Sequence, residues 1–380
     1  MAISSVEVFL LDFPLARRRR FSTGGNDSRG AALIRIADDE GFVGWGETYP
    51  TAGCMATLAT IGGLLVGRDP DAAEANWTLA WGASGSDGFA TGAVSIALDD
   101  LRARRRDVPV SALHGGALRN SVRAYASSEG YVEGRTVREA WRAEADRAVQ
   151  AGFLGFKLRI GGEPVPEELA AAAAVRAAYP ALLLMADGNG AYTYAQAREV
   201  GRALHDLAFT WLEEPLPTAQ YAGYERLRHT LPLALAGGES VQSRAEAGAL
   251  VDRGAFDIIQ PDVSICGGIG EAAAIARLAH VKAIRTHPHA CNGAIGLAAS
   301  LQLLAVLPGP VRLPAEGPLL EHDFGPNPAR TDLLTTPLQF VDGWFAIPGG
   351  PGLGVEVDEA FVRRNAVAHV VAVSQAGRTH

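Results

Sequence analysis

The sequence predicts an α/β fold: a (β/α)8-type barrel joined to a smaller α+β unit. Three observations lead there. From Val122 onward, short apolar runs alternate with alanine-rich helical stretches, and eight such runs can be counted. Four acids close successive runs at near-constant spacing: Asp187, Glu213, Glu239 and Asp262, with gaps of 213−187 = 26, 239−213 = 26 and 262−239 = 23. A strand with its return helix takes roughly 25–30 residues, so acids at that period mark repeated βα units. The segment before Val122 follows a different pattern, alternating at first and helical afterwards.

In chain order, SVEVFLLDF and AALIRIADDEGFVGWGE read as antiparallel strands, the second run turning near residues 38–41. Between them PLARRRRFSTGGNDSRG reads as a mobile, glycine-bearing loop. Residues 55–107 carry helical spacing, as in AVSIALDDLRARRR. The barrel strands are VRAYAS, GFKLRI, LLLMAD, FTWLEE, LALAGGE, FDIIQPD, AIRTHPH and VRLPAE, with helices such as PEELAAAAAVRAAY and EAAAIARLAHVK between them. From about Asp332 the chain turns glycine- and proline-rich, and this tail is expected to pack back on the N-terminal unit.

Composition narrows the function classes. With 380 residues, 48% hydrophobic and 20% charged, the chain can bury the core of a barrel plus a smaller unit. A net charge of −8 argues against nucleic acid as the main partner, because phosphate binding wants a basic face. Cys54, Cys266 and Cys291 form no CxxC pair and read as reduced thiols of a cytoplasmic protein. Neither a signal-peptide pattern nor an uninterrupted apolar run of about 18 residues is present, so no membrane association is expected.

The chemistry collects where barrel strands end, because their C-terminal ends converge on one mouth. Acids gathered there repel one another unless a cation neutralises them, and three carboxylates suit a hard ion such as Mg²⁺. Taken singly, Asp187 in MADGNGAY and Glu239 in AGGES read equally well as helix caps. In WLEEPLP, proline stops the strand after Glu213 and Glu214, and alternation sends only one of the two acids into the mouth. Asp262 and His289 lie one βα unit apart (289−262 = 27). A carboxylate beside an imidazole orients the ring and raises its pKa, which makes a usable general base. His287, in the same THPH run, shares that side of the strand, although a hydrogen-bonded structural role suits it better. Lys157 and Arg159 in GFKLRIG share one strand face. They are either catalytic cations or ion-pair partners that neutralise the acids. Glu321, in PLLEHD after the eighth strand, completes the inward ring.

The motifs WGE, SALHGG, KxR, DGN, EEP, GES, QPD with ICGGI, PHACNGAIGLAAS, LLEHD and PGLGVE, in this order over nearly the whole chain, resemble the enolase superfamily and within it the mandelate racemase group. The resemblance implies a modified TIM barrel over residues 119–331. Residues 1–118 and the tail 332–380 would form a capping domain, with loops near 16–30 and 46–52 closing over the substrate. It implies that Asp187, Glu213 and Glu239 hold one Mg²⁺ per subunit, that Asp262 and His289 form a dyad across the substrate, and that Glu321 hydrogen-bonds the enediolate. Asn189, Glu214, Tyr49 and Arg20 are expected to touch the substrate, and homo-oligomerisation is expected.

Two departures sharpen the expected reaction. Racemases of the group carry Lys-x-Lys on the second strand, but here the second position is Arg159, which stays protonated and makes a poor base. Racemisation needs a base on each face, whereas dehydration needs one. Ile265 stands where muconate-lactonising and dipeptide-epimerase groups carry a lysine. The expectation is a Mg²⁺-dependent dehydratase that converts a sugar acid (aldonate or aldarate) to a 2-keto-3-deoxy acid. A racemase or epimerase, or a metal-binding barrel without turnover, are the alternatives.

Overall fold

A computed structural model describes residues 2–309 and 317–374. β1 (Ile3–Phe21), β2 (Gly24–Asp38) and β3 (Val43–Thr48) form an antiparallel sheet, followed by α1 (Cys54–Leu65), α2 (Ala73–Ala83) and α3 (Gly88–Arg105). Period-two alternation divides the sheet between two cores. Val6, Val8, Ile34 and Ile36 pack with Leu58, Ile61 and Val94 of the helices, while Phe9, Leu11, Leu33 and Trp45 join the large barrel core. Helix α3 lies directly on β3, because a β-carbon on Gly44 or Gly46 would sit 2.1 Å from Ala97 O or 1.9 Å from Ala93 O.

The stretch expected to be a mobile loop is instead the far end of the β1–β2 hairpin. Beyond a bulge between Pro14 and Arg19, Arg19 pairs with Asn26, Arg20 with Gly25 and Phe21 with Gly24. Its side chains meet solvent on one face and a cavity on the other. No apolar alternation therefore announces the strand in the sequence.

A short helix, α4 (Val110–Leu113), leads into the barrel. Its strands are β4 (Ser121–Ser127), β5 (Gly155–Arg159), β6 (Leu183–Asp187), β7 (Trp211–Glu213), β8 (Ala234–Gly237), β9 (Ile258–Ile259), β10 (Arg285–Thr286) and β11 (Leu320–Asp323). Between them run α5 (Val137–Gln150), α6 (Val165–Ala178), α7 (Tyr194–Asp206), α8 (Tyr221–Thr230), α9 (Arg244–Arg253), α10 (Ile269–Val281) and α11 (Ala294–Val306). Strands β4 to β10 pair in parallel sequence, and β11 pairs in parallel with β4. The run VRLPAE, expected as the eighth strand, lies outside the described residues. The strand beside β4 is Leu320–Asp323, so Glu321 sits on a strand rather than after one. The charged residues of LEHD mask that strand in the sequence. No ladder joins β10 to β11 among the described residues; there the Leu319 N–H donates to His287 Nδ1 at 2.9 Å.

Tyr125, Met185, Trp211, Ala236, Ile258 and Leu319 fill the barrel interior. Trp211 meets Tyr125 edge-on and stacks on His287, each at 5.5 Å between ring centroids. The tail holds α12 (Pro328–Thr331), β12 (Phe340–Val341), β13 (Trp344–Ala346), α13 (Glu359–Asn365) and β14 (Ala366–Val371). β14 pairs with β1, but β13 pairs with the start of β4, so the tail braces barrel and sheet alike. Among the described residues no helix is long and apolar enough to cross a membrane.

Candidate active site

Asp187 and Glu213 close β6 and β7, and Glu239 and Asp262 follow just beyond the C-terminal ends of β8 and β9. Oxygens of Asp187, Glu213 and Glu239 lie within 4.8 Å of one another. Neither Asp187 nor Glu239 caps the next helix: Thr193 caps α7 and Ser243 caps α9. Lys157, fully buried on β5, places its Nζ 2.6 Å from Glu213, 2.7 Å from Glu321 and 3.5 Å from Asp187. Burial alone would lower the Lys157 pKa, but Glu213 and Glu321 hold it well above its ordinary value. Glu321, opposed by its own burial, is kept far below the usual carboxylate range by Lys157, His289 and Arg159. Burial pushes Glu213 up to about 7 despite Lys157. Glu213 Oε2 also accepts from Trp211 Nε1 at 3.1 Å and Gln260 Nε2 at 2.9 Å. Two residues along the strand, Arg159 donates to Asp187 Oδ2 at 2.7 Å and to Asn189 Oδ1 at 3.0 Å.

Across the mouth, His289 Nδ1 lies 2.8 Å from Asp262 Oδ2. A carboxylate can only accept, so Nδ1 carries the hydrogen and the Nε2 lone pair is exposed in the neutral ring. Nε2 lies 3.6 Å from Glu239 Oε2. Burial would depress the His289 pKa, but its electrostatic surroundings, among them the carboxylates of Glu239 and Glu321 and the Asp262 hydrogen bond, raise it well above its ordinary value. His287 has the opposite setting. Burial and Arg285 lower it to about 3, and the neutral ring closes the barrel through Leu319 and Trp211.

A cavity of about 800 Å³ lies over this mouth, lined by Arg159, Asn189, Glu214, Glu239, His289, Cys291 and Tyr49 below and by the β1–β2 hairpin above. Glu214 enters it although Glu213 also faces inward. The strand ends at Glu213 and Glu214 has a positive φ of 32°, so alternation no longer applies. Its carboxylate accepts the Gly238 N–H at 2.9 Å. The Tyr49 hydroxyl donates to Asp262 Oδ2 at 2.8 Å and accepts the Cys291 N–H at 3.2 Å. Arg20 departs from expectation: it does not line the cavity but pairs at the surface with Glu163 at 3.0 Å and lies over the Tyr131 ring. Neighbours on a strand point to opposite sides, and here Arg19 takes the inner one.

The sequence compares well with known proteins along both halves. Residues 4–115 match the N-terminal domain model of mandelate racemase / muconate lactonizing enzyme, and residues 140–361 match the enolase C-terminal domain-like model. The chain belongs to the mandelate racemase / muconate lactonizing enzyme family of the enolase superfamily. It is 36% identical over 94% of its length to D-galactarolactone cycloisomerase of Agrobacterium fabrum, covering 97% of that protein. It is 30% identical over 88% of its length to arabinonate dehydratase of Saccharolobus solfataricus, covering 93% of it. A racemase structure from Streptomyces coelicolor with bound magnesium superposes with a TM-score of 0.86 at 26% identity, over 96% of this chain and all of that one.

For a member of this family, the donor set can be tested against a divalent cation. Asp187, Glu213 and Glu239 offer only oxygens, which suits a hard ion. Glu239 Oε2 is buried with no hydrogen-bond partner among the described residues, and a buried orphan acceptor wants a cation or donor. Five acids, Asp187, Glu213, Glu214, Glu239 and Glu321, confront two permanent cations, Lys157 and Arg159. The residues fit such an ion. Sequence reasoning missed Cys291, whose thiol lies 3.9 Å from Arg159 Nη2, and the inner arginines Arg19 and Arg29. A lone cysteine has no spacing signal, and strand pairing alone tells Arg19 from its three neighbours.

Proposed function

We propose that this enzyme is a Mg²⁺-dependent lyase that removes the proton α to a carboxylate of a sugar acid, an aldonate or aldarate. It then expels the β-hydroxyl to give a 2-keto-3-deoxy acid. The observation that carries this reading is the oriented dyad: Asp262 fixes Nδ1–H of His289, and Nε2 faces the acid cluster across a cavity whose other wall offers Arg159, not a base. A cation held by Asp187, Glu213 and Glu239 would supply Lewis-acid stabilisation as negative charge builds on the substrate carboxylate. His289 Nε2 takes the α-proton, and the C–H electron pair moves into the carboxylate as an enediolate. Arg159, permanently protonated, and Lys157 behind the acids steady that charge, with Glu321 closing the ring. The imidazolium returns its proton to the β-oxygen as the C–O bond breaks, releasing water and an enol that becomes the ketone. Asn189, Glu214 and Tyr49 line the cavity where substrate hydroxyls would lie.

A second reading has support from the cycloisomerase relative. If the β-oxygen belongs to a ring, the same C–O cleavage opens the ring and no water leaves. Screening sugar acids and their lactones with Mg²⁺ and with chelator separates the two: a 2-keto product lighter by one water, or one of unchanged mass. Inverted configuration without elimination would support racemisation instead. His289→Asn is expected to abolish α-proton exchange in deuterated water, and exchange at the parent rate would sink the assignment of the base.

A further inference from the structure

The upper end of the cavity is built unlike the lower. Arg19 is only 8% exposed, and its Nε and Nη2 donate to Glu129 O at 2.9 Å, Ser128 O at 3.0 Å and Asp323 Oδ1 at 3.0 Å. Arg29, on the paired strand, gives its Nη2 to the other oxygen of Asp323, and its Nε is buried without a hydrogen-bond partner among the described residues. Arg330 Nη1 approaches the same Oδ2 at 3.9 Å. Three guanidiniums therefore share one buried carboxylate, and Glu129, which meets Arg29 around Gly325, is paired with a fourth, Arg147, at 2.8 Å. The other acids along this part of the cavity, Asp12 and Asp27, are exposed, and Asp27 is held by Arg18 at 3.0 Å. Buried positive charge in excess costs free energy unless an anion meets it. Both Arg19 and Arg29 line the cavity whose floor holds Glu239 and His289.

We infer that Arg29, with Arg19 beside it, forms a distal anion subsite, and that the substrate is a dicarboxylate of the aldarate class held at both ends. The inference rests on the proposed reading of the lower end as the place where the reacting carboxylate binds. Asp323 takes only one of the five N–H donors of the Arg29 guanidinium, which lines the cavity, so donors remain for the paired contact that a carboxylate accepts. Such a group reads an acid's far end: a carboxylate there gains two charged hydrogen bonds, while a hydroxymethyl leaves the guanidinium unmatched. Were the three arginines only a staple between hairpin and barrel, Arg29 would matter for stability and not for the choice of ligand.

The test is calorimetric titration of Mg²⁺-loaded His289→Asn protein, in which turnover is blocked. The ligands are galactarate against galactonate and glucarate against gluconate, pairs that differ only in whether carbon 6 is a carboxylate or a hydroxymethyl. The diacid of at least one pair is expected to bind about 10- to 100-fold more tightly, the span of one charge-assisted bidentate contact. Arg29→Gln should bring the pair within about threefold, and Arg29→Lys, which keeps the charge but loses the fork, should remove most of the preference. Equal affinity within both pairs, including no measurable binding, overturns the inference, as does a preference that survives in folded Arg29→Gln or Arg29→Lys protein. The elimination itself is read separately, from α-proton exchange and 2-keto product with the unsubstituted enzyme. A diacid preference without exchange would refute the reaction and leave the subsite standing.

Discussion

Lys157→Met tests whether the buried lysine is what lets the acid cluster exist. Its Nζ sits 2.6 Å from Glu213 and 2.7 Å from Glu321, and none of the three side chains meets bulk water. The folded-state pKa is raised, so the stabilisation is fully present below the unfolded pKa near 10.5 and lost only as pH rises through the higher folded value. It is therefore intact at pH 7. Methionine keeps the volume and removes the charge, which leaves buried carboxylates uncompensated at a cost of about 3–5 kcal/mol. At about 2.1 cal/mol/K per residue, 380 residues unfold with roughly 0.8 kcal/mol/K of entropy, so the melting temperature should fall by about 4–6 °C. Calorimetric melting in EDTA reads this directly, and Mg²⁺ should narrow the gap, because it would neutralise the same acids. A variant that melts within about 1 °C of the parent in EDTA would refute the electrostatic account.

Tyr49→Phe removes a hydroxyl that shares Asp262 Oδ2 with His289. Asp262 then holds the imidazolium more tightly, so the acid limb of the pH–rate profile should move upward, by about one unit at most, with a rate loss of up to about tenfold at neutral pH; an unmoved limb would show that the phenol does not tune the dyad. Glu144 on α5 is pushed up to about 8 by burial and then by Glu129, with Arg147 no closer than 4.0 Å. A carboxyl with a raised folded pKa binds its proton more tightly in the native state, so its contribution is fully present below pH 4.5 and lost as pH climbs to about 8. Glu144→Gln should match the parent's stability near pH 5 and exceed it by on the order of 4 kcal/mol at pH 9; urea titrations at both values check it, and parallel pH profiles would contradict it.

What the sequence reveals here depends on what each side chain faces. The acid ladder was readable because the barrel imposes a period of one βα unit, and an acid closing each apolar run keeps that period visible whatever its role. His287 and His289 were harder to tell apart from spacing alone. Two residues apart on a strand, they should share a face, yet β10 ends at Thr286. Beyond that point His287 turns onto Trp211 inside the barrel, while His289 reaches Asp262 at the mouth. Glu214, expected at the substrate through the resemblance, defeats strand alternation for the same reason, because a positive φ just past the end of a strand breaks the rule that assigns faces.

The hairpin errors have a different cause. Apolar alternation reports burial in a core, and it is silent where a strand divides solvent from a ligand cavity. Residues 14–30 carry polar side chains on both faces, so they read as a loop, and four consecutive arginines offer no ground for choosing one. Pairing supplies that ground. With Arg19 opposite Asn26 and Arg20 opposite Gly25, the two side chains must part, one toward Asp323 and the other toward Glu163. The groups best placed to discriminate between substrates thus occupy the part of the chain whose sequence pattern says least. Specificity in such a barrel can change by altering polar residues on this hairpin, with the apolar pattern that folds the chain left untouched.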